Sequence, residues 1–248
     1  MNFKNKPILG MIHLSGHGSK EKLDRALSEI EILDSEGVDG IIVENYHGNI
    51  DDVENVLENI KNYNGYLGIN ILPNEYKPAL ELANKYKADF IQLDYISGIY
   101  KPNLHFNYDD FLIEFAKYPN NPIILGGVHP KYYHPVDGSD LEADISEALL
   151  SCDAIVVTGE GTGKQTPLDK IKLFREIMDK TNHKYVIGKK FPLIIGAGLD
   201  INNVEEQLPL ADGAIVGSAF KPNKSTHSMI DRVLVREFMN KVKEVRKK

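Results

Sequence analysis

Four apolar runs in this chain share one form, an Asp followed by four or five mostly apolar residues: GVDGIIVE at 37–44, KADFIQLD at 87–94, SCDAIVVT at 151–158 and LADGAIVG at 210–217. Between them lie runs that carry glycine: PILGMI at 7–12, YLGINI at 66–71, PIILGG at 122–127 and PLIIGA at 192–197. Each run has the length of a strand, so the pattern predicts eight strands of two alternating kinds. Helical spacing separates them. Leu23, Ala26, Leu27, Ile30 and Leu33 repeat every three or four residues, as do Val53, Val56, Leu57 and Ile60, and Leu141, Ile145, Ala148 and Leu149. Ile171, Phe174, Ile177 and Met178 continue the pattern, and Ile230 to Val245 gives a closing helix. Thr166-Pro167 reads as an N-cap with proline at the first helical position. Eight strand–helix units with crossovers of one hand close most simply into a single α/β domain spanning residues 1–248, a (β/α)8 TIM barrel; an open doubly wound sheet is the alternative.

Composition narrows the reading. The 248 residues suit one such barrel, and no Pro/Ser-rich linker or charge block divides them. A net charge of -7 argues against nucleic acid as partner, since that surface needs clustered Lys and Arg. Cys152 is the single cysteine, which excludes an intrachain disulfide and suits a reducing compartment. No apolar stretch reaches spanning length and the N-terminal run lacks a cleavage pattern, so the expectation is a cytoplasmic protein without integral membrane contact. Apolar helix faces are compatible with a homo-oligomer, although the barrel needs the same faces for packing.

Chemistry is expected at one end, because connections leaving the strands build the site of this fold. Those connections are long and varied: residues 13–19, 44–49, 94–110, 129–140 and 158–166. Side chains two apart on a strand share a side. In the Asp-led strands Ile41/Val43, Ile91/Leu93, Ile155/Val157 and Ala214/Val216 form an aliphatic set that suits the helix side. The opposite parity points inward and puts Glu44, Asp94 and Thr158 at one level of the mouth, with Gln92 a layer deeper. His13 and His129 each lie three residues beyond a strand glycine, Gly10 and Gly126, which suggests equal depth; Asn70 shares the parity of Gly68 and not theirs. Glu44, Asp94, His13, His129 and Thr158 are therefore the candidate catalytic residues, with Asn45, Asn70, Gln92 and Lys164 as candidates for binding substrate. The alternatives are a structural ion-pair network for the carboxylates and structural hydrogen bonds for the histidines.

Glycines close the last two strands. Gly196 and Gly198 precede a helix that Asp200 would cap, and Gly217 and Ser218 precede a short helical turn. Glycine lets backbone N–H groups approach an anion, and the loops after strands seven and eight are the usual phosphate cradle of a barrel. A phosphorylated small-molecule ligand is the expected partner. The segment Thr158 to Lys164 has three glycines and reads as a mobile lid, but Gln165 after Gly163-Lys164 rules out a Walker A loop.

Taken together, GMIHL at 10–14, GVDGIIVEN at 37–45, DAIVVTGEGTGK at 153–164, PLIIGAGLDINNVEE at 192–206 and ADGAIVGSAFK at 211–221 resemble the BtpA/SgcQ family, a group of ribulose-phosphate-binding-type barrels. The resemblance implies the barrel more firmly than it implies a reaction. Family members are associated with photosystem I assembly or stability, with a sugar-utilisation gene cluster, and with nucleosidase or membrane-biogenesis labels. SGHGSKE at 15–21 and GVHPKYYHPVDG at 127–138 depart from the family's usual loops.

The leading expectation is an enzyme acting on a phosphorylated sugar or phosphoribosyl-type compound, with Asp94 and Glu44 as acid and base beside a carbonyl. Cleavage of an N-glycosidic bond is the runner-up, and a non-enzymatic assembly factor is the third reading, with Tyr95, Tyr100, Tyr132 and Tyr133 as an interface. No cofactor is called for; a divalent metal on His13, Glu44, Asp94 and His129 is an alternative that no short ligand spacing supports.

Overall fold

A computed structural model describes residues 1–185 and 190–247. Eight strands, β1 (Ile8–His13), β2 (Gly40–Glu44), β3 (Tyr66–Asn70), β4 (Phe90–Leu93), β5 (Ile123–Gly127), β6 (Ala154–Val157), β7 (Leu193–Ile195) and β8 (Gly213–Val216), are all parallel. They close into a barrel in sequence order, β8 pairing back onto β1. Around it run α1 (Ser19–Ser35), α2 (Ile50–Asn59), α3 (Tyr76–Tyr86), α4 (Tyr108–Phe115), α5 (Leu141–Ser151), α6 (Leu168–Tyr185), α7 (Val204–Gln207) and α8 (Arg232–Lys247). The closed TIM barrel replaces the open-sheet alternative. Among the described residues no helix is long and apolar enough to cross a membrane.

The recurring Asp has a mechanical cause. In each Asp-led unit its side chain accepts the first free N–H of the strand before it: Asp39 from Ile8 (2.8 Å), Asp89 from Leu67 (2.8 Å), Asp153 from Ile124 (2.8 Å) and Asp212 from Leu193 (3.0 Å). The barrel base would otherwise leave those donors without partners where strands begin. The carboxylates thus staple the strands in pairs, β1 to β2, β3 to β4, β5 to β6 and β7 to β8. Arg246 and Arg175 tie Asp39 and Asp212 to α8 and α6.

Strand parity sorts the core as expected. Ile41, Val43, Ile91, Leu93, Ile155, Val157, Ala214 and Val216 belong to the layer between sheet and helices. Leu9, Met11, Ile42, Phe90, Leu125, Ala154, Val156, Ile194 and Ile215 fill the barrel interior, with Met1 and Phe3 packed against this inner cluster. Phe90 crosses the lumen so closely that a Cβ on Gly68 would sit 2.1 Å from its ring. Each buried aliphatic side chain contributes about 1.5–3 kcal/mol of transfer free energy, so the two layers carry most of the stability.

Several local expectations differ. Thr166 does not cap α6; its hydroxyl donates to Ala197 O (2.9 Å) and so ties the entry of α6 to the loop after β7. Asp200 does not cap a helix either, because α7 starts later, behind Asn203, and is one turn long. The long connection after β4 contains an antiparallel hairpin, Ile99–Tyr100 with Leu104–His105, which the sequence pattern did not disclose.

Candidate functional site

Ladder register builds one side of the site. His13, Glu44 and Asn70 are successive partners across β1, β2 and β3, so all three stand at the same height where the strands end. His13 Nε2 lies 3.5 Å from Glu44 Oε2, and Asn70 Nδ2 donates to Glu44 Oε1 (3.0 Å). Asn70 therefore does share the inward parity of His13. The strand glycines misled because they are not equivalent: Gly10 and Gly126 face the helices, against Leu33 and Ile96, whereas Gly68 faces the lumen. Asp94 follows β4 and its Oδ2 accepts from Tyr133 Oη (3.0 Å). Thr158, after β6, completes the ring of polar groups, and its Oγ1 accepts from the N–H of Lys131 (2.7 Å).

A cavity opens above this ring, lined by His13, Glu44, Gln92, Asp94, Lys131 and Thr158 on one side and by Gly196 to Leu199 and Gly217 to Ser218 on the other. Met11, Tyr46, Leu72, Pro130, Val156 and Ile215 give it apolar walls. Among the described residues, His13 Nδ1 and Gln92 Oε1 are buried without a hydrogen-bond partner, so the floor retains hydrogen-bonding capacity for something that enters.

Burial sets the proton affinities. It raises Glu44 from 4.5 to about 7, with Lys131 pulling down and Asp94 pushing up. Asp94 is raised as well, again by burial, while the Tyr133 hydroxyl and Lys131 favour its charged form. His13 is lowered well below 6.5 by burial and then by Lys221 and Lys131, so its imidazole is neutral at pH 7. Tyr133 is pushed up by burial and by Asp94, which keeps its hydroxyl a donor. The mouth thus holds two carboxyl groups whose proton affinities burial raises, Glu44 to about 7, beside a neutral imidazole.

The opposite rim is made of backbone. Among the described residues, the N–H groups of Gly198, Leu199, Gly217 and Ser218 donate to no protein acceptor. Gly198 has φ +68°, and a Cβ there would meet Lys164 O at 2.1 Å, so glycine is required by both conformation and space. Expected dipole support from a helix after β7 is absent, since α7 begins only at Val204; after β8 a single 3-10 turn, Ser218–Phe220, follows directly.

Five expected residues fall elsewhere. The strand ends at Gly127, and His129, at φ +44°, turns away so that its Nε2 meets Asp144 Oδ2 of α5 (2.7 Å). It does not line the cavity. The metal quartet is therefore not assembled, and among the described residues no group of three or more His, Cys, Asp and Glu is placed to hold an ion. Asn45 clamps the backbone of Leu72 through both side-chain atoms (2.7 and 3.2 Å) instead of facing the opening. Lys164 contributes its carbonyl, packed on Gly198, while Thr162 and Gly163 of the same loop line the cavity. Tyr95 and Tyr100 are buried in a cluster with Tyr133, which leaves only Tyr132 of the four exposed.

Two lysines escaped the sequence reading. Lys131 lines the mouth; its membership of the long loop after β5 was the only signal. Lys221 is completely buried against Glu29 (3.6 Å) below the β8 loop, and nothing in the sequence separates it from a surface lysine.

An eight-stranded parallel barrel with buried carboxyls at the C-terminal mouth and open amides after β7 and β8 defines a TIM-barrel protein. Solved barrels agree at low identity: phosphoribosylanthranilate isomerase of Thermotoga maritima superposes with TM-score 0.60 at 12% identity, over 96% of this chain and 98% of that one. Orotidine 5'-phosphate decarboxylase of Pyrococcus horikoshii gives 0.58 at 13%, over 95% and 99%. A structure described as native KDPGal gives 0.63 at 12%, over 98% and 97%. The chain belongs to the BtpA family, whose profile matches residues 4–244. An uncharacterized protein of Methanocaldococcus jannaschii is 28% identical over 96% of this chain and 95% of its own. The photosystem I biogenesis protein BtpA of Synechocystis is 25% identical over 97% and 89%. SgcQ, an sgc-region protein of Escherichia coli, is 30% identical but over only 38% and 32%.

Proposed function

We propose that the protein is an enzyme acting on a phosphorylated sugar or phosphoribosyl-type small molecule by acid–base chemistry at the barrel mouth. The observation that carries this reading is the facing of two surfaces across one cavity: the paired carboxyls Glu44 and Asp94, both raised toward neutrality, and the unpaired amides of the loops after β7 and β8. A general acid or base is most effective when its pKa lies near the working pH, and Glu44 at about 7 meets that condition. The amides of Gly198, Leu199, Gly217 and Ser218 would hold the phosphate, and Gln92 and His13 would take hydroxyls. Proton transfer beside a carbonyl, as in isomerisation, epimerisation or retro-aldol cleavage, suits this set.

Incubation of the purified protein with a panel of pentose and hexose phosphates in D2O, followed by NMR, tests the reading. Exchange or conversion that Asp94→Asn abolishes, with inorganic phosphate binding retained, is expected. Release of a free base from a nucleoside or nucleotide would instead support N-glycosidic cleavage. Binding without turnover would favour an assembly role, the reading that the name of the Synechocystis relative suggests.

A further inference from the structure

Lys131 is held on a fixed mount. Its N–H is committed to Thr158 Oγ1 (2.7 Å). Two residues earlier, His129 is anchored three ways: its N–H to Tyr100 Oη (3.1 Å), its ring to Asp144 (2.7 Å) and its carbonyl to Lys170 Nζ (3.0 Å). Tyr133, two residues later, reaches Asp94. The ammonium donates to Thr162 Oγ1 (3.3 Å) at the cavity edge. Among the described residues it is the only Lys or Arg lining the cavity, and it forms no ion pair there. Its charge nevertheless acts on His13, Glu44 and Asp94. A lone cation lining the same cavity as two carboxyls and a neutral imidazole is where developing negative charge is best accommodated. Lys221 is no competitor, being sequestered with Glu29; the Lys164 side chain does not line the cavity.

We infer that Lys131 is the electrophilic catalytic residue of this site: its ammonium hydrogen-bonds the carbonyl oxygen of a phosphorylated hydroxycarbonyl compound and stabilises the enediolate formed from it. The inference rests on the acid–base reading above. In the step, the C–H bond next to the carbonyl breaks and its electron pair becomes the C=C bond. The carbonyl π pair moves onto the oxygen beside Lys131, and the proton goes to a carboxylate of the Glu44–Asp94 pair. The hydroxyl on the deprotonated carbon gives its proton to the oxyanion beside Lys131 through the other carboxyl of the pair and becomes the new carbonyl, and return of the abstracted proton to the former carbonyl carbon completes an isomerisation with no oxidant or reductant. Fixed donors aimed at a developing oxyanion supply much of the rate in such steps.

The test follows deuterium exchange into the same sugar phosphates by wild type, Lys131→Met, Lys131→Gln and Lys131→Arg, with inorganic phosphate binding measured by calorimetry. Loss of one oxyanion donor should lower kcat for exchange about 100-fold in the Met and Gln variants, while KM and the phosphate Kd stay within about threefold and Arg restores part of the rate. Exchange at the wild-type rate in the Met and Gln variants overturns the role of Lys131 alone. Phosphate affinity lost at unchanged kcat overturns it in favour of an anion ligand. No exchange by wild type with any sugar phosphate removes the acid–base reading, and the electrophile with it.

Discussion

Glu44 offers a measurement that needs no substrate. Its carboxyl is buried, accepts from Asn70, and has its pKa raised from 4.5 to about 7. Below the unfolded value the group is protonated in both states and contributes no difference. As pH rises, the unfolded chain releases the proton first, so the native state binds more protons and stability falls until the folded value is passed. At about 1.4 kcal/mol per pH unit the penalty is about 1 kcal/mol at pH 5, about 2 at pH 6 and about 3 at pH 8. Glu44→Gln keeps the acceptor for Asn70 and cannot ionise, so it removes the penalty. Denaturant unfolding of both proteins from pH 5 to pH 8 should show the variant gaining stability over wild type along that curve. Titrating groups not coupled to Glu44 act on both proteins and cancel in the difference, while the repulsion from Asp94 is part of the penalty the variant removes. Parallel pH profiles, with a constant offset, would refute a raised Glu44 and remove its fitness as acid or base.

Gly198→Ala places a Cβ 2.1 Å from Lys164 O at φ +68°; a destabilisation of about 1–3 kcal/mol or more is expected, with loss of any phosphate-induced thermal shift. Lys221→Met strands Glu29 as a buried unpaired carboxylate and should cost about 3–5 kcal/mol in denaturant unfolding, partly recovered when Glu29→Gln is added. Asp153→Ala leaves the Ile124 N–H at the barrel base without its acceptor, a loss of about 1–3 kcal/mol that leaves ligand binding at the opposite end intact. His129→Ala removes the contact with Asp144; lower melting temperature with modified but measurable turnover is expected, whereas complete loss of chemistry in a folded variant would contradict its structural placement.

Legibility followed repetition. The barrel could be read because eight strands repeat two signatures, and each Asp marks a place where a strand-start N–H needs an acceptor. Gln92 and Glu44 were placed by parity inside regular strands, and Asp94 and Thr158, one residue past the ends of β4 and β6, keep that parity, so all four line the cavity. His129 could not, because its direction is decided after the ladder ends, by one residue with positive φ and a carboxylate on α5. Asn45 and Lys164 failed for the same reason: loop residues answer to partners distant in sequence. Lys131 and Lys221 carry no periodic signal, and a lysine is assigned to solvent unless its surroundings are seen.

The sequence alone determined the closed barrel, its inner and outer faces, and the end at which polar groups gather, since these follow from short-range periodicity that hydrogen-bonded strands must obey. Tertiary structure decided which polar groups meet: the height at which His13, Glu44 and Asn70 align, the burial that raises Glu44, and the arrival of Lys131 from a loop beyond β5. Register between strands, desolvation and loop path depend on distances across the fold, and no local pattern encodes them.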